Sequence, residues 1–165
     1  MADIRNIGCA NIVGFDDNGV LVLLNKGDGE FTLPKLALGN FGYHAGGWRV
    51  DKHLHFLADI NSNGLLDIVR FRDLHVYVAY NNGDGTFQPA KPILSYFCHD
   101  NGWCISKHPR FVVDMTGDSK HNLVGFADDG VFVAFNNGDG TFQNPHKVSD
   151  EFCQNWGGWA VEKYP

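Results

Sequence analysis

Three tryptophans recur along the chain, and a glycine precedes each of them. They are Trp48, Trp103 and Trp159, spaced 55 and 56 residues apart. A pyranose ring has an apolar patch of C–H groups that stacks on an aromatic side chain, and its hydroxyls need fixed hydrogen-bond donors and acceptors. The glycine lets a ligand approach the backbone closely. The three tryptophans are therefore candidate stacking residues for a sugar.

Polar residues recur with the tryptophans. A Lys-His pair occurs at 52–53 and again at 107–108, so His53 and His108 are candidate donors, and Arg110 adds a third. Tyr164 replaces the histidine in the last copy, which predicts an altered or lost site there. Turn aspartates that can accept from sugar hydroxyls complete the candidate set: Asp16, Asp17, Asp73, Asp128 and Asp129.

These residues also have a purely structural interpretation. A tryptophan that recurs once per repeat is often a packing residue, and a histidine next to a proline can end a strand. Turn aspartates commonly hydrogen-bond to their own backbone. For each residue, the residue pattern leaves both interpretations open.

A second set of oxygen-bearing residues has the spacing of a calcium loop. Side-chain oxygens at alternate positions of a tight loop, with a carboxylate at its end, suit a hard cation. The first set is Asp59, Asn61, Asn63 and Asp67, and the weaker second set is Asp114, Asp118 and Asn122. Two interpretations stay open: a structural Ca²⁺ ion of modest affinity, and a metal-free loop held by its own hydrogen bonds.

The sequence segments that position these residues occur three times along the chain. NNGDGTFQ occurs at 81–88 and at 136–143, and a variant, NKGDGEFT, occurs at 25–32. Repetition at a fixed period indicates a repeat architecture. A single domain is predicted, with units 1–47, 48–102 and 103–158, and with 159–165 restarting the unit.

Each unit is predicted to form four β-strands. In the second unit these are 55–59, 67–71, 75–81 and a strand that starts at the TFQ of 86–88, all rich in β-branched and aromatic residues. Asn-Gly and Asp-Gly pairs are typical of the intervening hairpin turns. Four antiparallel strands per unit are typical of a propeller blade, so we predict an all-β propeller with three blades per chain.

In a four-stranded meander, successive loops emerge on opposite faces. The calcium loops and the NGDGT turns share one face. The turns between the second and third strands share the other face with the crossovers that carry the tryptophans. Since each crossover leads to the next blade, the candidate sugar sites are predicted between neighbouring blades.

Three blades are too few to close a ring, because closed propellers generally have four to eight. An open arc exposes two apolar blade faces, which favours association. Pro165 aligns with Pro109 and Met1 with Val112, so only two positions are skipped between the end of one copy and the start of the next. We predict a homodimer that forms one six-bladed ring head-to-tail. The alternative is that the chain is a fragment of a longer propeller.

Composition excludes several classes of function. The net charge is -6 without any cluster of basic residues, which argues against a nucleic-acid partner. The chain has no apolar run long enough to span a membrane and no signal-peptide pattern, so a cytoplasmic protein, or one released without a signal peptide, is expected. The cysteines lack zinc spacing and favour a reducing compartment: Cys9, Cys98, Cys104 and Cys153.

The segments GGWRVDKHLHFLADINSNGLLDIV (46–69) and VYVAYNNGDGTFQ (76–88) resemble a known repeat. It is that of the fungal N-acetylglucosamine-binding β-propeller lectins of the Psathyrella velutina type. The chain is similar more loosely to the FG-GAP/VCBS repeats of integrins. The resemblance extends over essentially the whole chain, although family members carry six or seven blades within one chain.

This resemblance implies a non-catalytic lectin with shallow sites for terminal N-acetylglucosamine between blades, and for sialylated glycans in some members. It favours ligand contact for the tryptophan, histidine and aspartate cluster as a set. Two other classes remain as alternatives: an integrin-like calcium-dependent adhesion module and a propeller glycosidase. Recurrence of similar polar residues in every unit favours binding over catalysis, because enzymes gather unlike residues in one pocket.

Overall fold

The computed structural model describes residues 1–156, 158 and 159. In this part of the chain there are eleven β-strands and one short 3-10 helix, His99–Asn101. The strands form three antiparallel sheets, which confirms the all-β prediction, and we call them blades 1 to 3. Over the same residues, no helix is long and apolar enough to cross a membrane.

The strands of each blade follow chain order. Blade 1 contains β1 (Ile12–Asp16), β2 (Gly19–Leu23) and β3 (Lys35–Leu38). Blade 2 contains β4 (His55–Ala58), β5 (Asp67–Phe71), β6 (Val76–Ala79) and β7 (Lys91–Leu94). Blade 3 contains β8 (Arg110–Val113), β9 (Asn122–Ala127), β10 (Gly130–Ala134) and β11 (His146–Ser149). In blade 1 an isolated bridge between Ala2 and Asn11 precedes β1, where β4 and β8 lie in the other blades.

The second strand of the unit lies at the centre of each complete blade. All five residues of β5 are buried, because strands flank it and side chains cover both of its faces. The fourth strand starts later than predicted, at Lys91 and His146 rather than at TFQ. The reason is that NNGDGTFQ forms a closed turn, bridged from Asn81 to Phe87 and from Asn136 to Phe142.

Side chains within the repeated turn fix its shape. In blade 2, Asn81 Oδ1 accepts a hydrogen bond from the Gly83 N–H at 2.8 Å. Asp84 Oδ1 accepts from the Thr86 N–H at 2.9 Å. Gly83 and Gly85 have φ of 82° and 89°, in the left-handed region that glycine adopts without strain. This geometry leaves the amide nitrogen of Asn81 pointing at blade 1.

That asparagine links each blade to the one before it. Asn81 Nδ2 donates to the carbonyl of Ile4 in blade 1 at 2.7 Å. One repeat later, Asn136 Nδ2 donates to the carbonyl of Ile60 in blade 2 at 2.9 Å. Both asparagines are buried, where an unpaired amide would be costly. The repeated turn therefore serves as a connection between blades.

Candidate functional site

The crossovers between blades dock on the turns between second and third strands. In blade 1, the N–H groups of His44 and Ala45 donate to the Asp17 carbonyl at 2.8 and 3.2 Å. In blade 2 the Asp100 N–H donates to the Asp73 carbonyl at 2.9 Å, and in blade 3 the Asn155 N–H donates to the Asp128 carbonyl at 2.9 Å. One face of the molecule thus gathers the predicted tryptophans, histidines and turn aspartates.

Two of the three tryptophans lack the open ring face that the sequence analysis expected. Trp48 and Trp103 are only 4% and 5% exposed. They pack edge-on against Phe41 and Phe97, with ring centroids 4.9 and 5.0 Å apart. Such edge-to-face pairs stabilise a core. Trp159 differs, because it is 37% exposed beside Phe152 at the end of blade 3.

The two histidines connect each crossover to the next turn. His53 Nδ1 accepts from the Arg49 N–H at 3.0 Å, so Nε2 carries the proton and faces Asp73 Oδ1 at 3.1 Å. His108 has the same arrangement, with Nδ1 accepting from the Cys104 N–H at 3.1 Å. Its Nε2 lies 3.3 Å from Asp128 Oδ1.

Both histidines are buried, so they position an aspartate rather than offer a free donor. Burial lowers the pKa of His53, although the hydrogen bond and charge of Asp73 act in the opposite direction. Burial is the largest single influence on the pKa of Asp73 and raises it, but the hydrogen bond from His53 and the charges of His53, Arg72 and His99 together outweigh burial, so the pKa is lowered. Asp73 and Asp128 therefore remain charged acceptors at neutral pH.

Arg110 is buried as well, which excludes it as a direct contact of a sugar in this arrangement. Its guanidinium donates to the Phe97 carbonyl at 2.9 Å. In blade 2 the equivalent hydrogen bond is made by Arg70, whose guanidinium donates to the Phe41 carbonyl at 2.5 Å. Burial lowers the pKa of both guanidinium groups to about 10. Sequence analysis missed Arg70, because the two arginines occupy different strands of their repeats.

An open cleft of about 250 Å³ lies between the crossover into blade 3 and the β9–β10 turn. We call it the Ala127 cleft. It combines aromatic side chains with the two predicted carboxylates of this turn. It is lined by Tyr96, Asn101, Gly102, Trp103, His108, Ala127, Asp128, Asp129 and Phe132. The carboxylates are held by lysines, with Lys107 Nζ 2.6 Å from Asp128 and Lys147 Nζ 2.9 Å from Asp129.

The equivalent place in blade 2 is occupied by an arginine. Arg72 aligns with Ala127, and its guanidinium donates to the Gly46 carbonyl at 2.6 Å. Its charged carbon lies 5.1 Å from the centroid of the Trp48 ring, a cation–π contact. Arg72 therefore lies over the tryptophan, where the Ala127 cleft is open. Of the aligned residues Asp16, Arg72 and Ala127, only Asp16 was predicted from sequence as a site residue.

A larger cleft of about 340 Å³ lies between blades 1 and 2, and we call it the Asp17 cleft. It contains Asp16, Asp17 and the edge of Trp48, together with residues that the sequence analysis did not name. These are Phe15, Phe41, Tyr43, Arg49, Val50, Asp51, His55 and Arg70. The Arg49 guanidinium lies 3.7 Å from the centroid of the Tyr43 ring. The structure therefore places four of the five predicted aspartates in two clefts, and Asp73 lines neither of them.

The side chains of the predicted calcium loop accept hydrogen bonds from the backbone of the loop and its neighbours. Asp67 is fully buried, and its two oxygens accept from the Asn81 and Ile60 N–H groups at 2.8 and 3.0 Å. Asp59 accepts from the Gly64 N–H at 2.7 Å and Asn63 from the Leu65 N–H at 2.9 Å. Asp59, Asn61 and Asn63 remain as side-chain ligands with one carboxylate among them, so backbone carbonyls and waters would have to supply several of the six to eight oxygens that calcium takes.

The weaker calcium set is engaged in the same way. Asp114 accepts from the Ser119 and Gly117 N–H groups, each at 2.8 Å. Asp118 accepts from the Thr116 hydroxyl at 2.8 Å, and Asn122 is buried and accepts from the Asn136 N–H at 2.9 Å. The residues of both loops therefore fit calcium poorly.

We expect millimolar CaCl₂ to leave the melting temperature within about 1 °C of that measured in EDTA, because ligand binding stabilises only in proportion to occupancy. Differential scanning calorimetry with MgCl₂ as the control measures this. A rise of several degrees that is specific to calcium would show that the loops rearrange around the ion.

A lectin of Agrocybe aegerita, reported for its specific recognition of non-reducing terminal N-acetylglucosamine, is 50% identical to this chain with a TM-score of 0.92. This chain is therefore similar to that lectin in sequence and in fold. The match covers 96% of this chain and 40% of that one, so the chain spans less than half of the lectin's length.

Other similarities concern the repeat and the fold. Residues 59–120 match the FG-GAP-like repeat. The Tc holotoxin pore of Photorhabdus luminescens is 18% identical over 90% of this chain and 7% of that one, with a TM-score of 0.67. At that identity the match shows a shared fold alone. None of the curated proteins matches the sequence.

Proposed function

We propose that the protein is a non-catalytic lectin that binds glycans ending in N-acetylglucosamine. The observation that carries the proposal is the 50% identity, across nearly the whole chain, to a lectin that recognises this terminal sugar. The Ala127 cleft supports it independently. Its volume of about 250 Å³ suits a single sugar ring rather than a long polymer.

The chemistry of the Ala127 cleft matches the two kinds of surface on a sugar. Tyr96, Trp103 and Phe132 supply apolar edges for C–H groups. Asp128 and Asp129 accept from hydroxyls, and their lysine partners fix their orientation before the sugar arrives. Gly102 exposes backbone to the ligand. His108 acts by positioning Asp128.

Weak sites of this kind gain strength from recurrence. A single shallow site commonly binds a sugar with a Kd of about 1 mM, near -4 kcal/mol. The proposal therefore includes multivalent binding on a six-bladed ring formed by two copies, in which linked sites raise the avidity. The repeated Trp-His-Asp arrangement supports recurrence of the scaffold. Arg72 indicates that the junctions are not all equally open.

We infer a lectin rather than either of the two alternative classes from the state of the acidic residues. An adhesion module that depends on calcium would need the loop carboxylates that are engaged in backbone hydrogen bonds. A glycosidase would need two carboxyl groups on either side of the scissile bond, one of them protonated. Asp128 and Asp129 are instead paired with lysines, and the pKa of Asp128 is lowered, mainly by the hydrogen bond from Lys107.

Titration of methyl β-N-acetylglucosaminide into the protein, followed by NMR, tests the proposal. We expect saturable binding at about 1 mM and at least about tenfold weaker binding of methyl β-galactoside. Asp129→Ala should weaken binding about tenfold, because a lost hydrogen bond to a charged acceptor costs about 1.5–3 kcal/mol.

Asp17→Ala serves as the matched control, because it removes a carboxylate from the other cleft. Equal binding of both methyl glycosides would overturn the lectin proposal. A loss of binding in Asp17→Ala alone would overturn the assignment to the Ala127 cleft.

A further inference from the structure

The contacts between consecutive blades reuse the same repeat positions. In the first contact, a large side chain of one blade lies over a turn glycine of the next. Leu24 covers Gly85, where an added Cβ would meet its side chain at 2.9 Å. Tyr80 covers Gly140 so closely that an added Cβ would overlap the phenol oxygen. Phe135 is the equivalent large residue of blade 3, and Gly29 is the equivalent glycine of blade 1.

The second contact is the asparagine bond. Ile4 and Ile60, whose carbonyls accept from the next blade, have completely buried side chains. Met115 aligns with them in blade 3 but is 51% exposed. The equivalent donor in blade 1 is Asn25. Its side-chain nitrogen donates to the Ala10 carbonyl within the same blade at 3.1 Å, as the nitrogen of Asn81 donates to the Leu66 carbonyl at 2.9 Å.

The third contact places a crossover over the second strand of the following blade. At Gly125 an added Cβ would lie 2.5 Å from the Trp103 ring and 2.7 Å from Phe97. In blade 1 the residue that aligns with Gly125 is Gly14, and nothing lies within 4 Å of a Cβ added there. The crossover that follows blade 3 carries Phe152, which is 51% exposed.

The two ends of the described chain therefore carry complementary halves of one contact. Blade 1 presents the uncovered glycines Gly14 and Gly29, around which nothing lies within 4 Å. Blade 3 presents exposed apolar residues whose equivalents in blade 2 are covered: Phe111, Val113 and Met115. Two internal copies of this contact already exist, so the chain itself specifies what fits each end.

We propose that blade 3 of one copy of this chain packs against blade 1 of a second copy. In this contact Phe135 covers the partner copy's Gly29. Met115 accepts through its carbonyl from the second copy's Asn25, and the Phe152 crossover covers the second copy's Gly14. The halves lie at opposite ends, so the association is head-to-tail and closes when two copies complete the ring. It depends on apolar burial and does not require sugar.

Sedimentation equilibrium without sugar tests this contact. We expect a species of twice the 18.3 kDa chain mass at micromolar concentration. Gly14→Asp should weaken association about 100-fold, because it buries an unpaired carboxylate under the partner copy's crossover. Its fold should persist, since blade 2 already carries Arg70 at the aligned position. Met115→Asp should weaken association similarly from the other end, by placing a charge in the apolar contact.

Leu74→Glu is the matched control, because it charges an exposed apolar residue of the middle blade and should leave the dimer intact. A mixture of Gly14→Asp and Met115→Asp should regain one intact contact and associate more strongly than either variant alone. Circular dichroism reports whether each variant is folded. A folded wild-type monomer at 100 µM, or a dimer that neither variant weakens, would overturn the proposal. Loss of sugar binding alone would leave it unaffected.

Discussion

Ala127→Arg is expected to abolish measurable sugar binding at the Ala127 cleft. The aligned residue Arg72 shows where the new side chain would lie, because its guanidinium contacts a crossover carbonyl and the Trp48 ring. In blade 3 the equivalent carbonyl belongs to Asn101, and the equivalent ring is that of Trp103. The introduced arginine has partners, so the variant should fold while the cleft is filled.

The affinity for methyl β-N-acetylglucosaminide should fall by at least about tenfold, which corresponds to about 1.4 kcal/mol. Leu74→Arg is the control, since it adds the same charge to the middle blade, at an exposed position. If Ala127→Arg binds as tightly as the wild type, the sugar does not occupy this cleft.

The reciprocal change should open a second site. Arg72→Ala removes the guanidinium from the Trp48 ring and leaves Asp73 oriented by His53. We expect the number of sugar molecules bound per chain to increase, as measured by NMR perturbation of the Trp48 indole N–H. An unchanged number would mean that more than one residue closes the junction.

Asp67→Asn is expected to remove a pH-dependent loss of stability. Burial raises the pKa of Asp67 to about 6, which backbone hydrogen bonds only partly offset, and the nearby charge of Asp59 acts in the same direction as burial. The unfolded carboxyl titrates near 3.8. Between these two pH values the folded protein binds more protons than the unfolded chain. The contribution of Asp67 to the free energy of unfolding is therefore fully present below pH 4 and is lost as the pH rises through 6.

The expected size of this effect is about 3 kcal/mol, since two pKa units correspond to about 2.7 kcal/mol. Urea unfolding of wild type and Asp67→Asn at pH 4 and pH 7.5 measures it. The free energy of unfolding of the wild type relative to the variant should fall across this range. Asn11 and Asn122 occupy the aligned positions, so the substitution suits the fold.

The lost Ile60 hydrogen bond adds a cost that does not depend on pH, so only the change with pH is diagnostic. Asp84→Asn is the control, because hydrogen bonds from Thr86 lower the pKa of Asp84, and its contribution has the opposite sign. A pH-independent difference between wild type and Asp67→Asn would contradict the buried ionisable carboxyl.

The fold was accessible from sequence because its determinants are local and written three times. Strand alternation and Asn-Gly turns predicted β5 and β6 closely. The late start of β7 was missed, because TFQ has strand-like residues but completes the turn through the Asn81–Phe87 bridge. Local preference cannot show that a short apolar run closes a turn instead of extending a sheet.

The site was predictable as a region but not in its details. The turn aspartates and the histidines do meet the crossovers on one face. Trp48 and Trp103 were expected to face a ligand, but tertiary packing buries them against Phe41 and Phe97. Arg72 and Ala127 look unremarkable in sequence and gain meaning only once the crossover over them is known.

The exchange of arginines between strands constrains how such repeats can recombine. Arg70 pairs across β4–β5 with His55, whereas Arg110 pairs across β8–β9 with Gly125, and each arginine holds a phenylalanine carbonyl. Recombination between the two repeats, with its breakpoint in the loop between these strands, would yield one hybrid repeat with two arginines in a buried space and another with none. Recombination between these repeats therefore preserves a single buried arginine only when the breakpoint lies outside that loop, so that the two strands stay together.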